Sequence, residues 1–183
     1  MARPAFIRAM HPKAAIRPDP GAISRVLATG WVGQLKIHGH RAQIHIPAAP
    51  EAELVAFTRK GTRHKVPLSA TMIAELRRLL SPQSGWNVVD CEWVKEQQIL
   101  YLFDMLKKNS EVLSAATYPE RYAQLPQLYL SPALRTLPLL TTLDKCLAAL
   151  KSPEPWIEGL VFKSSTSTGF LDTAIVRCRK SGS

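Results

Sequence analysis

Three short segments alternate polar and apolar residues with a period of two, and this alternation constrains the fold more than any other feature. They are Arg41-Ala42-Gln43-Ile44-His45-Ile46, Val88-Val89-Asp90-Cys91-Glu92-Trp93-Val94 and Ile175-Val176-Arg177-Cys178-Arg179-Lys180. Successive side chains of a strand point to opposite faces. Asp90 and Glu92 therefore share a face, with Cys91 behind them. Arg177 and Arg179 share another, with Cys178 behind, and Arg41, Gln43 and His45 lie opposite Ala42, Ile44 and Ile46. Each strand is expected to present an apolar back and a charged front. One basic face plus an acidic pair suits a nucleotide and its divalent ion, because cations neutralise phosphates and carboxylates hold the metal. An ordinary solvated sheet face alternates in the same way, so the pattern alone leaves both readings open.

The rest of the chain fills in an α+β class with largely antiparallel sheet and flanking helices. After Pro18-Asp19-Pro20-Gly21, a short helix is expected to run to Thr29 and stop at Gly30. WVGQLKIHG and HRAQIHIP read as a β-hairpin. A strand near Glu53–Arg59 leads into a turn at Lys60-Gly61. Ser69 caps an amphipathic helix with Ile73, Leu76 and Leu80 on one face. WNVVDCEWV and QQILYLFDML read as two strands. Pro119 to Pro138 reads as loop with a helical turn around Glu120–Leu125. Thr142 caps a further helix, and EGLVFKSS and TAIVRCRK form the last two strands.

Length and charge narrow the function. The 183 residues fit a single domain, 1–183, able to bury a core without staples. A net charge of +10 favours polyanionic partners. Three widely spaced cysteines, Cys91, Cys146 and Cys178, argue against a disulfide framework and, without a CxxC pair, against structural zinc. His38, His40 and His45 lack companion cysteines and read as phosphate or surface contacts. The start, MARPAFIRAMHPK, has no apolar signal core. No apolar run approaches the roughly 18 residues of a membrane helix, so a cytoplasmic protein without membrane contact is expected.

Several motifs follow one another in a telling order. The chain resembles the covalent nucleotidyltransferase superfamily of ATP-dependent DNA ligases, RNA ligases and capping enzymes, and the DNA ligases most. Lys36-Ile37-His38-Gly39-His40-Arg41 resembles the KxDGxR nucleophile motif, and Thr58-Arg59-Lys60-Gly61 the (S/T)RxG motif. Asp90-Cys91-Glu92 resembles the D(G)E strand, and Tyr101-Leu102-Phe103-Asp104 the aromatic motif that follows it. Glu158-Gly159-Leu160-Val161-Phe162-Lys163 matches EG(L/V)VxK. Arg177-Cys178-Arg179-Lys180 sits where the closing KxK is expected. Tyr118-Pro119-Glu120-Arg121-Tyr122 with Leu125 resembles PxxxRxxxL.

The resemblance implies an adenylation domain that uses ATP and Mg²⁺ (or Mn²⁺). Lys36 would take AMP covalently, and Lys163, Arg177 and Arg179 would neutralise phosphate charge. Glu92 and Glu158 would contact metal or ribose. Phe103 would stack on adenine, Gln34 would read the adenine edge, and Leu35 would belong to the nucleotide-binding residues. Arg41 and Arg59 would meet ribose or, with Lys60, nucleic acid. The implied partner is nicked double-stranded DNA, with RNA as runner-up; a nucleic-acid-binding module without turnover is the alternative of another class. A monomer is expected. The chain departs from the family pattern in three ways. His38 replaces the usual aspartate, arginines replace the closing lysines with Cys178/Lys180 as a second possible frame, and no OB domain follows. That last point is read as either a minimal protein or a truncation, with an accessory protein as a candidate to replace the domain.

Overall fold

The computed structural model of the chain describes residues 2–127 and 131–181. Along the chain it places β1 (Ala14–Ala15), α1 (Pro20–Ala28), β2 (Trp31–Ile37), β3 (His40–Pro47), β4 (Val55–Phe57), α2 (Ala70–Leu80) and β5 (Trp86–Val94). Then follow β6 (Ile99–Lys108), β7 (Glu111–Val112), α3 (Tyr118–Tyr122), β8 (Leu134–Thr136), α4 (Leu143–Leu150), β9 (Ile157–Ser164) and β10 (Ile175–Arg179). The first sheet has the order β1-β10-β9-β2, and the second the order β4-β3-β5-β6-β7 with β8 beside β6. Pairing is antiparallel except for β1 on β10 and β8 on β6. The expected α+β class with largely antiparallel sheets is the observed one.

Local chemistry explains the helices. Asp19 caps α1 by accepting from the Ala22 N–H at 2.9 Å, and Pro20 fits the first turn, whose N–H groups need no intrahelical partner. Gly30 ends the segment at φ 81°, a left-handed conformation that glycine adopts without strain. Ser69 accepts from the Met72 N–H, and Met72, Leu76 and Leu80 recur every fourth residue to bury one stripe of α2. Thr117 and Glu120 form a reciprocal capping box on α3.

The expected hairpin is not formed. β2 pairs with β9 and β3 pairs with β4 and β5, so the two strands belong to different sheets. The register of β2 on β9 shifts between Lys36 and Ile37, and the His38 N–H donates to Trp156 O at 2.7 Å. Gly39 then passes so close to β5 that a Cβ there would lie 2.7 Å from Trp93 O. The chain is handed directly from one sheet to the other, which only a residue without a side chain permits at that distance.

One core lies behind the second sheet. Ala42, Ile44 and Ile46 of β3, Cys91 and Trp93 of β5, and Leu100 and Leu102 of β6 pack with Met72 and Leu76 of α2. A smaller core behind the first sheet joins Leu160, Phe162 and Cys178 to Ile23 of α1 and Cys146 of α4. Each such aliphatic or aromatic side chain contributes about 1.5–3 kcal/mol by leaving water. The apolar backs are as expected, but the front of β3 is charged only at Arg41. Gln43 and His45 are buried. The N-terminal segment covers them: the Ile7 N–H donates to Gln43 Oε1 at 2.9 Å, and Gln43 Nε2 donates to Ile7 O at 2.6 Å. Within the proline-rich stretch the helical turn appears as α3 and an unforeseen strand as β8; residues 128–130 of that stretch lie outside the described ones.

Candidate active site

The charged fronts of the two sheets face each other across a cavity of about 300 Å³. From the first sheet, Gln34, Leu35 and Lys36 on β2 and Lys163 on β9 line it. Arg41 on β3, Glu92 on β5, Phe103 on β6 and Arg59 on the loop after β4 line it from the second. Of the predicted residues, Glu158, Arg177, Arg179 and Lys60 are not in its lining; Lys60 stays on the exposed turn, its N–H bonded to Thr58 Oγ1.

Lys36 stands at the end of β2 with its Nζ ion-paired to Glu158 Oε2. The other Glu158 oxygen binds His38 Nδ1 at 2.7 Å. Burial pushes the Glu158 carboxyl upward, but the hydrogen bonds from Lys36 and His38 outweigh it and hold the group below the usual carboxylate range. Arg179 Nε lies 3.9 Å from Glu158, while Arg177 donates to Pro12 O at 3.3 Å. Cys178 is in the core and Lys180 donates to Ser152 O, so in the closing motif it is Arg177 and Arg179 that lie on the side of the site.

Glu92 is a carboxylate of another kind. Burial raises its pKa to about 7, against the pull of Arg41 and Lys36. Both nearby cations are committed elsewhere, Lys36 to Glu158 and Arg41 to Asp90. Among the described residues no group of three or more His, Cys, Asp or Glu side chains could hold a metal. A desolvated carboxylate beside a second one does suit an ion that arrives already bound to phosphate oxygens, since Mg²⁺ often takes only one or two protein carboxylates.

The inner end of the cavity is a closed polar network. Lys163 is 2% exposed, and its Nζ donates to Gln34 Oε1 at 2.9 Å. The ammonium lies 4.1 Å from the centre of the Tyr118 ring and 4.6 Å from that of Phe103. Burial lowers the Lys163 pKa to about 7. Gln34 also accepts from Tyr118 Oη and donates to Leu137 O, so its amide is oriented by three partners. Behind them Arg121 and Asp104 form a buried two-bond pair at 2.9 and 3.1 Å. Arg41 Nε donates to Asp90 Oδ1 at 2.7 Å, and its guanidinium stacks 5.0 Å from the Phe103 ring. Two cations, Arg41 and Lys163, thus lie within 5.0 Å of the centre of the Phe103 ring.

Several contributors escape a reading by periodicity. Met10, His11 and Pro12 line the cavity from the N-terminal segment, which carries no alternation to betray it. The pairing of Arg41 with Asp90 spans 49 residues, and Tyr118 reaches Gln34 across 84. The period-two faces put Arg41 and Asp90 on strand fronts, but only the pairing of β3 with β5 says that they meet.

A family model described as RNA ligase matches residues 29–179. Comparison with curated proteins gives no significant match. Among solved structures, a mycobacterial DNA ligase D complexed with ATP and MES superposes with a TM-score of 0.64 at 18% identity, over 93% of this chain and 60% of that one. A structure from work on Lig E DNA ligases gives 0.59 at 12% identity, over 95% and 69%. An archaeal ATP-dependent RNA ligase gives 0.53 at 16%, over 93% and 48%. The chain thus spans about three-fifths of the ligase D chain it resembles. At these identities the likenesses establish the fold, and the family model, which spans most of the sequence, establishes the kinship. The chain belongs to the RNA ligase family and has the fold of an ATP-dependent ligase-type nucleotidyltransferase domain.

Proposed function

We propose that the chain self-adenylates on Lys36 and passes the AMP to the 5′-phosphate of a nicked DNA duplex. The observation that carries this reading is the shared cavity: the Lys36 amine, an aromatic ring near two cations, a buried ammonium and a desolvated carboxylate all line it. Lys36 Nζ gives its proton to solvent and attacks the α-phosphorus of ATP. The N–P bond forms as the P–O bond to pyrophosphate breaks. Glu158, in contact with the amine, orients it. Phe103 offers its face to the base, and Lys163 and Arg41 meet the negative charge that grows on the phosphate. Arg177 and Arg179, which lie outside the cavity lining, would neutralise charge on the departing pyrophosphate. Mg²⁺ bound with the nucleotide, near Glu92 and Glu158, would polarise the phosphoryl oxygens. Attack of the 5′-phosphate on Lys36-AMP then frees the lysine, and a 3′-hydroxyl seals the strand with release of AMP.

DNA as the strand is supported by the motif spellings LKIHGHR and FTRKG and by the likeness to ligase D. RNA is the second reading, favoured by the family model and the archaeal RNA ligase. Incubation with α-labelled ATP and magnesium followed by a denaturing gel tests the first step. Label should stay on the protein and vanish in Lys36→Ala; equal labelling of the variant would remove Lys36 from its role. Lys36→Arg should fail too, because a guanidinium stays protonated. Nicked DNA and nicked RNA offered to the labelled protein decide between the two strands.

A further inference from the structure

The N-terminal segment is more than packing. It crosses from the second sheet, where Arg41 donates to Met10 O at 2.9 Å, to the first, where β1 pairs with β10. Asp172, in the turn before β10, fastens it: Arg8 and Lys13 each lie 3.0 Å from its carboxylate and the His11 N–H donates to it at 3.0 Å. Under this strap is a second cavity of about 290 Å³, lined by Arg8, His11, Lys13, Arg41 and Arg59 among others. Met10, His11, Arg41 and Arg59 line both cavities, so the two share a wall.

The charges in the second cavity do not cancel. Asp90 is occupied by Arg41, and Asp172 alone serves both Arg8 and Lys13. Arg59 faces a ring nitrogen instead of a carboxylate, its Nη1 being 3.1 Å from His11 Nε2. Burial lowers the His11 pKa, the cations Arg59, Arg41 and Arg177 lower it further, and Asp172 opposes them. A neutral imidazole accepts from Arg59 and aims the guanidinium without cancelling its charge. The result is a pocket with surplus positive charge, built over the sheet front and adjoining the place where AMP would sit.

We propose that this second cavity receives a backbone phosphate of the polynucleotide, with Arg8, Lys13 and Arg59 as its ligands and His11 as a positioning residue that aims Arg59. The proposal rests on the ligase reading, which needs a strand phosphate next to the nucleotide, and assigns the strap to gripping that strand. A phosphate there would complete the charge balance that Asp172 only half satisfies.

The test uses the full chain and a nicked DNA duplex with a 5′-phosphate, its affinity measured from about 50 to 200 mM salt. Arg8→Gln with Lys13→Gln should weaken binding about tenfold and flatten the slope of log K against log salt by about 1–2, the share of one or two phosphate contacts. Arg8→Gln alone, at a side chain 80% exposed, should give a smaller loss in the same direction. Asp172→Asn removes the carboxylate but keeps an acceptor for the His11 N–H, and should bind as well as the parent or better. The same loss on a duplex without the 5′-phosphate identifies an internal phosphodiester; a loss confined to the phosphorylated duplex identifies the terminal group. An unchanged slope in the double variant overturns the proposal. An equal loss in Asp172→Asn overturns it in favour of a mere clasp. A raised ATP requirement for self-adenylation overturns it in favour of the triphosphate tail. Self-adenylation is scored separately, so failure of the parent to take label sinks the ligase reading without touching the measurement of strand binding.

Discussion

Glu158 and His38 are bonded at 2.7 Å, on the carboxylate oxygen that Lys36 leaves free. The residue at the aspartate position of the motif is thus a donor to the acid that holds Lys36, the proposed nucleophile. His38→Ala should slow self-adenylation by about fivefold or less, because the ring is 74% exposed and exposed pairs contribute up to about 1 kcal/mol. His38→Asp should cost more, since it sets a second carboxylate beside Glu158. Initial rates of labelled-AMP incorporation check both; a faster His38→Asp enzyme would show that the histidine hinders Glu158.

Glu92 carries a stability signature. Its folded pKa of about 7 stands above the ordinary 4.5, so between those values the folded chain keeps a proton that the unfolded chain has lost. Stability attributable to Glu92 therefore falls as pH rises through that window. Glu92→Gln should be more stable than the parent above pH ~7, by at most about 3 kcal/mol, while self-adenylation drops roughly 10²-fold. Urea titrations at low and high pH are the measurement. A pH-independent difference would mean that the carboxyl is well solvated.

Lys163 should show the opposite slope. Its pKa of about 7 lies below the ordinary 10.5, so the folded chain releases a proton that the unfolded chain holds, and stability rises with pH across that interval. Below it the buried ammonium bears its full desolvation cost. Lys163→Met should raise the melting temperature at neutral pH, with a gain of about 1–3 kcal/mol, and lose self-adenylation. A lower melting temperature would show that the bond to Gln34 and the attraction of Asp104 outweigh burial.

Gly159 is fixed by contact as well as conformation. Its φ is 151°, and a Cβ would sit 2.1 Å from Cys178 O and 2.8 Å from Arg179 Cα, both backbone atoms of β10. Gly159→Ala should destabilise by about 3 kcal/mol or more, a fall of roughly 10 °C in Tm. A calorimetric scan reads this directly.

How far the sequence could be read follows from which information is local. Ser69 and Thr142 announce their helices because a cap and its N–H partner lie three residues apart. The faces of β5 and β10 follow from alternation alone. The partner of a strand does not, which is why the adjacency of β2 and β3 suggested a hairpin that the structure replaces with a crossing. The burial of Gln43 depends on Ile7, and that of Lys163 on Tyr118 and Phe103, contacts that no window of sequence contains. Motif order picked out residues that line two walls of the cavity; the strap beside it has neither motif nor period.

The crossing at His38 and Gly39 also orders events in time. The second sheet is drawn from one unbroken stretch, residues 40–136, whereas the first is assembled from the two ends of the chain. Lys36 and Glu158 are separated by 122 residues. Closing so long a loop is slow compared with pairing neighbouring strands. A nascent chain would therefore expose Lys36 early and leave it without Glu158 beside a finished sheet until β9 is synthesised. On the proposed function, adenylation of Lys36 would then report that the last strands have docked, and a partly made chain would not take AMP.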